Sequence, residues 1–159
     1  MSDSTDADVP EILFLTDING RAYKLLFYEY DTAWKLWLYD RKIHVAKVDC
    51  VVLNGFLFIG NLQVFDEAKV WQSAFSRWLA AKCGLEAKTR NYQHLNLGTQ
   101  LLNLVIQRAK ERKLIGITGN LFPRDLQVNP DLPRWYRSKG FQVTLEKGNS
   151  SGTIELKLP

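Results

Sequence analysis

The residues best suited to chemistry run from Tyr92 to Thr99, Tyr-Gln-His-Leu-Asn-Leu-Gly-Thr, immediately ahead of an amphipathic helical stretch. The first backbone N–H groups of a helix have no internal partner, and the helix dipole adds partial positive charge at that end. Gln93, His94, Leu95, Asn96, Leu97, Gly98 and Thr99 therefore read as a candidate cradle for a pyrophosphate. By pattern alone, the same residues also fit an ordinary helix start. The other residue of note is Tyr136, a phenol with an ordinary pKa of about 10. It also fits a half-buried aromatic beside Trp135.

Positioning these groups falls to the elements around them. Residues 1–10 read as a disordered tail. The alternation predicts strands over Ile12–Thr16, Arg21–Tyr30, Ala33–Tyr39, Ile43–Leu53 and Phe56–Phe65, an antiparallel meander. Asn19-Gly20 and Asn54-Gly55 fall between apolar runs, where a type I′ turn needs positive φ at both central residues. The period then changes: Val70, Trp71, Ala74, Phe75, Trp78 and Leu79 form a helical stripe, which Asp66 can start and Gly84 can end. Glu86–Asn91 reads as polar linker. After Gly98, Leu101, Leu102, Val105, Ile106 and Ala109 form one apolar helix face. Leu114–Phe122 reads as a strand, and a third helix runs from Asn129–Asp131 to Gly140. Strands over Phe141–Glu146 and Thr153–Leu158 close the chain. The expected fold class is α/β (α+β), a mixed, mostly antiparallel central sheet with helices on both faces.

Gln93-x-x-Asn96-x-Gly98 resembles the Q/R-x-x-G-x-G/A signature of the GCN5-related N-acetyltransferase superfamily, with Asn96 in place of the middle glycine. Asparagine is among the residues that best tolerate positive φ. The segment Asn129 to Phe141 is similar to the family's N-x-x-A-x-x-L-Y-x-x-x-G-F, with Asn129, Tyr136, Gly140 and Phe141 at matching positions. The same four residues also suit a well-capped helix: Asn129 or Asp131 at its start, Pro in its first turn, Gly140 at the left-handed C′ position.

The resemblance implies an acyl-CoA N-acyltransferase fold, one domain over residues 11–159, with 66–91 as a helical insertion ahead of the pyrophosphate turn. It implies acetyl-CoA as co-substrate, no metal, and direct attack by a small-molecule or peptide amine in a ternary complex. The turn from Gln93 to Thr99 would hold the pyrophosphate, Leu62 and Val64 would pair with the pantetheine amides, Asn129 would contact the cofactor, and Tyr136 would protonate the thiolate. The resemblance and the aromatic stripe from Val70 to Leu79 are compatible with a homodimer, though no residue proves one. The strand that resembles the family's fourth offers only Asn61 and Gln63 where a Glu base is common. Asp66, Glu67, His44 and Glu29 are remote substitutes, and an acceptor amine of low pKa needs no base. The alternative is a degenerate module of the same fold that binds CoA or a protein partner without turnover.

Bulk properties agree with a small globular domain. Apolar residues make up 46% of the 159 and charged residues 24%, enough for one core. The net charge of +4 suits an anionic ligand and is too weak to point to nucleic acid, which calls for Lys and Arg clustered on one face; docking on acidic protein or RNA is a third, weaker reading. Cys50 and Cys83 are far apart and, with two histidines, give no zinc spacing. The chain has no signal-peptide pattern and no run of about 20 apolar residues, so the expected location is the cytoplasm, away from membranes.

Overall fold

The computed structural model describes residues 9–65, 68–69, 89–90 and 92–159. The first five strands are β1 (Glu11–Thr16), β2 (Ala22–Glu29), β3 (Ala33–Asp40), β4 (Ile43–Leu53) and β5 (Phe56–Val64). Each pairs antiparallel with the next, the meander that alternation implies. Two short strands, β6 (Ala68–Lys69) and β7 (Thr89–Arg90), form a separate two-stranded ladder. This corrects the linker reading of 86–91 at Thr89–Arg90, because backbone pairing there needs no apolar pattern. The aromatic stripe from Val70 to Leu79, its proposed ends at Asp66 and Gly84, and Cys83 lie outside the described residues. Helix α1 (Leu97–Glu111) leads to β8 (Gly116–Leu121), α2 (Pro123–Val128), α3 (Leu132–Ser138), β9 (Gln142–Leu145) and β10 (Gly152–Lys157).

Eight strands make one sheet in the order β1-β2-β3-β4-β5-β8-β10-β9. Among the described strands, only the β5–β8 junction is parallel. The fold is thus a mixed, mostly antiparallel sheet with helices packed on it. Tyr23, Leu25, Phe27, Trp34, Leu36, Leu38 and Val48 share one face by register and are all buried. Onto that core α1 lays Leu97, Leu101, Leu102, Val105 and Ala109, and its length crosses β1, β4, β5 and β8. Its C-terminal turn is basic, as the helix dipole favours. There Arg108 pairs with Glu11 and lies 5.3 Å from the Phe27 ring centroid, while Arg112 meets Glu29 at 3.3 Å.

Two turns and one bulge set the local geometry of the sheet. Asn54 and Gly55 both take positive φ (53° and 80°), the two-residue turn expected between β4 and β5. At β1–β2 only Gly20 does so (φ 82°). The expected type I′ turn at Asn19-Gly20 does not form, because the Asp17 carboxylate accepts the N–H groups of Asn19 (2.8 Å) and Arg21 (3.0 Å) and imposes a longer loop. In β5, Asn61 opposes Asp49 while Ile59 opposes Cys50, so Gly60 is an extra, bulged residue.

Candidate functional site

The bulge has a direct consequence for the sheet's centre. β5 pairs with β8 only from Phe56 to Ile59, opposite Gly116 to Gly119. From Gly60 to Val64 it has no strand on that side among the described residues. The N–H of Phe65 goes to the carbonyl of Val45 on β4 at 2.9 Å. Strand alternation then aims the N–H groups of Val64 and Leu62 the other way, into the gap. β8 runs on to Leu121 without pairing with β5 there, so among the described residues an edge of backbone without a strand partner lines that side of β5. This is the geometry that pairing with an extended ligand requires.

The turn that opens α1 meets the same gap. An added Cβ at Gly98 would lie 3.6 Å from Val64, 3.9 Å from Trp135 and 4.0 Å from Leu62, so Gly98 stands between the end of β5 and α3. Asn96 is the N-cap at φ 66°, the left-handed conformation expected where the family signature has glycine. His94 is left-handed too (φ 61°), and both side chains are exposed. Leu97 is buried and pins the first turn to the core, while Gln93 and Leu95 are half-buried. Thr99 Oγ1 accepts a hydrogen bond from Trp135 Nε1 at 3.3 Å. On the other flank, the Ile18 N–H donates to the Leu95 carbonyl at 3.4 Å, and Gln100 Nε2 to the Thr16 carbonyl at 2.7 Å. Left-handed conformations at non-glycine residues cost free energy and persist only where the surroundings hold them. These flanking contacts hold this turn.

Tyr136 lies on α3, 5% exposed, with its ring edge-on to Trp135 (4.8 Å between centroids) and Phe141 (5.4 Å). Burial raises its phenol well above the ordinary value, with smaller contributions from the charges of Asp125 and Cys50. It therefore stays protonated at physiological pH. Cys50 is the residue opposite Ile59, where β5 begins to part from β8. The helix stops as the sequence predicts: the Phe141 N–H returns to the Tyr136 carbonyl at 3.2 Å and the Gly140 N–H to Arg137 at 3.0 Å, with Gly140 at φ 91°.

Asn129 is the C-cap of α2 and is exposed. It joins α2 to α3, with its Oδ1 accepting the Asp131 N–H at 3.2 Å and its carbonyl accepting Leu132 at 3.1 Å. α3 begins at Leu132 with Asp131 as its N-cap, within the expected start at 129–131. Of the substitute bases, Glu29 is tied to Arg112 at the far end of α1, about 20 Å along the helix from the turn. His44 is half-buried, and burial lowers its pKa. Asp66 and Glu67 lie outside the described residues. Sequence reasoning missed Trp135 and Tyr92 as supports of the turn. Their partners stand 36 and 52 residues away, and no local pattern announces such pairs.

No family model and no curated protein matches this sequence. Solved structures do. The chain is similar to the PaiA N-acetyltransferase of Thermoplasma acidophilum in complex with coenzyme A, at 12% identity and a TM-score of 0.53. The match covers 80% of this chain and 62% of that one, so this chain spans less than two thirds of that protein. An acetyltransferase of the GNAT family from Staphylococcus aureus matches at 17% identity and TM-score 0.53, over 80% of this chain and 68% of that one. Arabidopsis thaliana Naa50 in complex with a bisubstrate analogue matches at 16% and 0.51, over 78% and 72%. The fold is an acyl-CoA N-acyltransferase fold. It is the fold these solved N-acetyltransferase structures share.

Proposed function

We propose that this protein is an acetyl-CoA-dependent N-acetyltransferase. The observation that carries this reading is the meeting of the unpaired β5 edge with the left-handed turn at the start of α1. The first offers backbone donors to an extended amide chain, the second to a pyrophosphate. The structural neighbours solved with coenzyme A and with a bisubstrate analogue support it. In this reading the N–H groups of Leu62 and Val64 face the pantetheine. The amine of the acceptor attacks the thioester carbonyl, and the oxyanion that forms accepts a hydrogen bond from an N–H at the end of β5, the one near Val64. The C–S bond then breaks, and the thiolate takes the phenolic proton of Tyr136. The nitrogen loses its own proton to water, and water returns a proton to the Tyr136 phenolate. Holding both reactants in one cleft supplies the remaining advantage.

A module that binds without turnover is the second reading. It is favoured by Asn61 and Gln63, which leave the splayed part of β5 without a carboxylate. One experiment separates the possibilities. In a thermal titration, acetyl-CoA at a hundred times its Kd stabilises the protein by about 2.7 kcal/mol. Release of free thiol with a panel of small and peptide amines then reports turnover. The absence of any shift at millimolar acetyl-CoA overturns the proposal, and a shift without thiol release selects the module.

A further inference from the structure

Asp17 and Asp40 are buried polar residues in the core, 7% and 2% exposed. Asp40 is tied through Tyr92 to the entry of the turn before α1, and Asp17 sits in the β1–β2 loop. Asp40, the last residue of β3, accepts Arg21 Nε at 3.0 Å and Nη2 at 2.6 Å on Oδ1. On Oδ2 it accepts the Tyr92 hydroxyl at 2.9 Å. Tyr92 is 1% exposed and directly precedes Gln93, the first residue of the turn. Its ring stands edge-on to Tyr23, 6.2 Å between centroids, and the Tyr23 hydroxyl donates to Asp17 Oδ2 at 2.8 Å. Burying a carboxylate is costly unless it is paired and hydrogen-bonded. Here Arg21 and Tyr92 meet that cost for Asp40, and in doing so they fix where the chain enters the turn.

We infer that Asp40 and Tyr92 are positioning residues for cofactor binding. Their hydrogen bond holds the entry to the turn so that His94 and Asn96 stay left-handed and the N–H groups from Leu95 to Thr99 converge. The inference rests on the proposed acetyl-CoA site. It also predicts a property of the turn that needs no cofactor. Two bonds of the same chemistry make the comparison internal. Tyr92→Phe removes the bond that anchors the turn. Tyr23→Phe removes an equally buried Tyr–Asp bond within the β1–β2 region, where Asp17 Oδ1 keeps its two backbone donors.

Both variants should lose melting temperature to a similar degree. Calorimetric titration with acetyl-CoA should give a Kd raised about tenfold in Tyr92→Phe, the scale of one hydrogen bond to a charged group, and less than about twofold in Tyr23→Phe. Hydrogen exchange of the 94–99 amides in the free protein should be faster in Tyr92→Phe alone. Where the wild type binds acetyl-CoA, equal affinities in the two variants overturn the inference. Where the wild type does not bind, the proposed function fails, and equal exchange of 94–99 in the two variants overturns the positioning role as well.

Discussion

Gly98 is the position at which fold and binding can be separated most cleanly. It is the second residue of α1 and its φ is ordinary, so no left-handed conformation protects it. A methyl group there meets its neighbours at 3.6 to 4.0 Å, ordinary contact distances that demand no movement. Gly98→Ala should therefore stabilise the free protein by about 0.5 kcal/mol, through the lower entropy of the unfolded chain and the better helix propensity. For a domain of this size that is a rise in Tm of about 1–2 °C. The added methyl covers side chains of Leu62 and Val64 and leaves the N–H groups of the turn open, so the Kd for acetyl-CoA should hold within about threefold. Gly98→Leu keeps the propensity gain, but its longer side chain has no room between Val64 and Trp135. It must turn out over the mouth of the gap, and affinity should fall by more than about tenfold, roughly 1.4 kcal/mol. Calorimetric unfolding and titration on the same three proteins give both quantities. A loss of stability above about 1 kcal/mol in Gly98→Ala would refute the packing argument. Wild-type affinity in Gly98→Leu would refute the location of the ligand.

Other substitutions test separate parts of the structure. Tyr136→Phe should lower the rate of thiol release by about a hundredfold, within the usual range for general acid catalysis, at nearly unchanged acetyl-CoA affinity. Equal loss of rate and affinity would make Tyr136 structural. Gly152→Ala places a Cβ 2.5 Å from the Thr144 carbonyl, which is backbone, and should destabilise by about 2 kcal/mol or more in a denaturant titration. Lys113 ends α1 at φ 55°, with the Leu114 N–H returning to Ala109 at 3.0 Å, so Lys113→Gly should gain about 1 kcal/mol by the same assay. Acid stability should follow Asp17. Burial alone would raise its pKa, but the bonds from Tyr23, Arg21 and Asn19 and the Arg21 charge outweigh it, and the net shift is downward. Its contribution is present above the unfolded carboxylate value and is lost as pH falls below about 4. Tyr23→Phe should flatten that part of the stability profile.

How far the sequence foretells this molecule depends on whether each feature is local. Strands β2 to β5 are legible because one face of each is buried, and burial forces alternation. The C-terminus of α3 is legible because Gly140 and Phe141 complete a capping motif within six residues. Asn96 is legible as a left-handed residue through its family position. By contrast, α2 has no buried residue, so it leaves no apolar stripe. Its signals were Pro123 at the start and Asp125, whose Oδ2 accepts the Phe122 N–H at 3.0 Å. The Asn19-Gly20 turn was misjudged because the competing acceptor, Asp17, lies just outside the dipeptide that the turn rule weighs. The Asp40–Tyr92 anchor and the Trp135–Thr99 bond were out of reach for a different reason. Each joins residues distant in sequence, and only the topology of the sheet brings them together.

The parting of β5 from β8 also bears on how the chain folds. Strands β1 to β5 are joined by turns of two to five residues, so their ladders close short loops and can form early. The β5–β8 pairing must close a crossover of roughly fifty residues, from Val64 to Gly116, and gains only four residue pairs for it. That junction should be assembled last and should open first. Native-state exchange would then be faster for the Gly116–Gly119 amides bonded across the seam than for those in β3 and β4. A ligand bridging the two halves of the sheet would brace the interface at which unfolding begins, and so would lengthen the lifetime of the native state as well as shift its equilibrium.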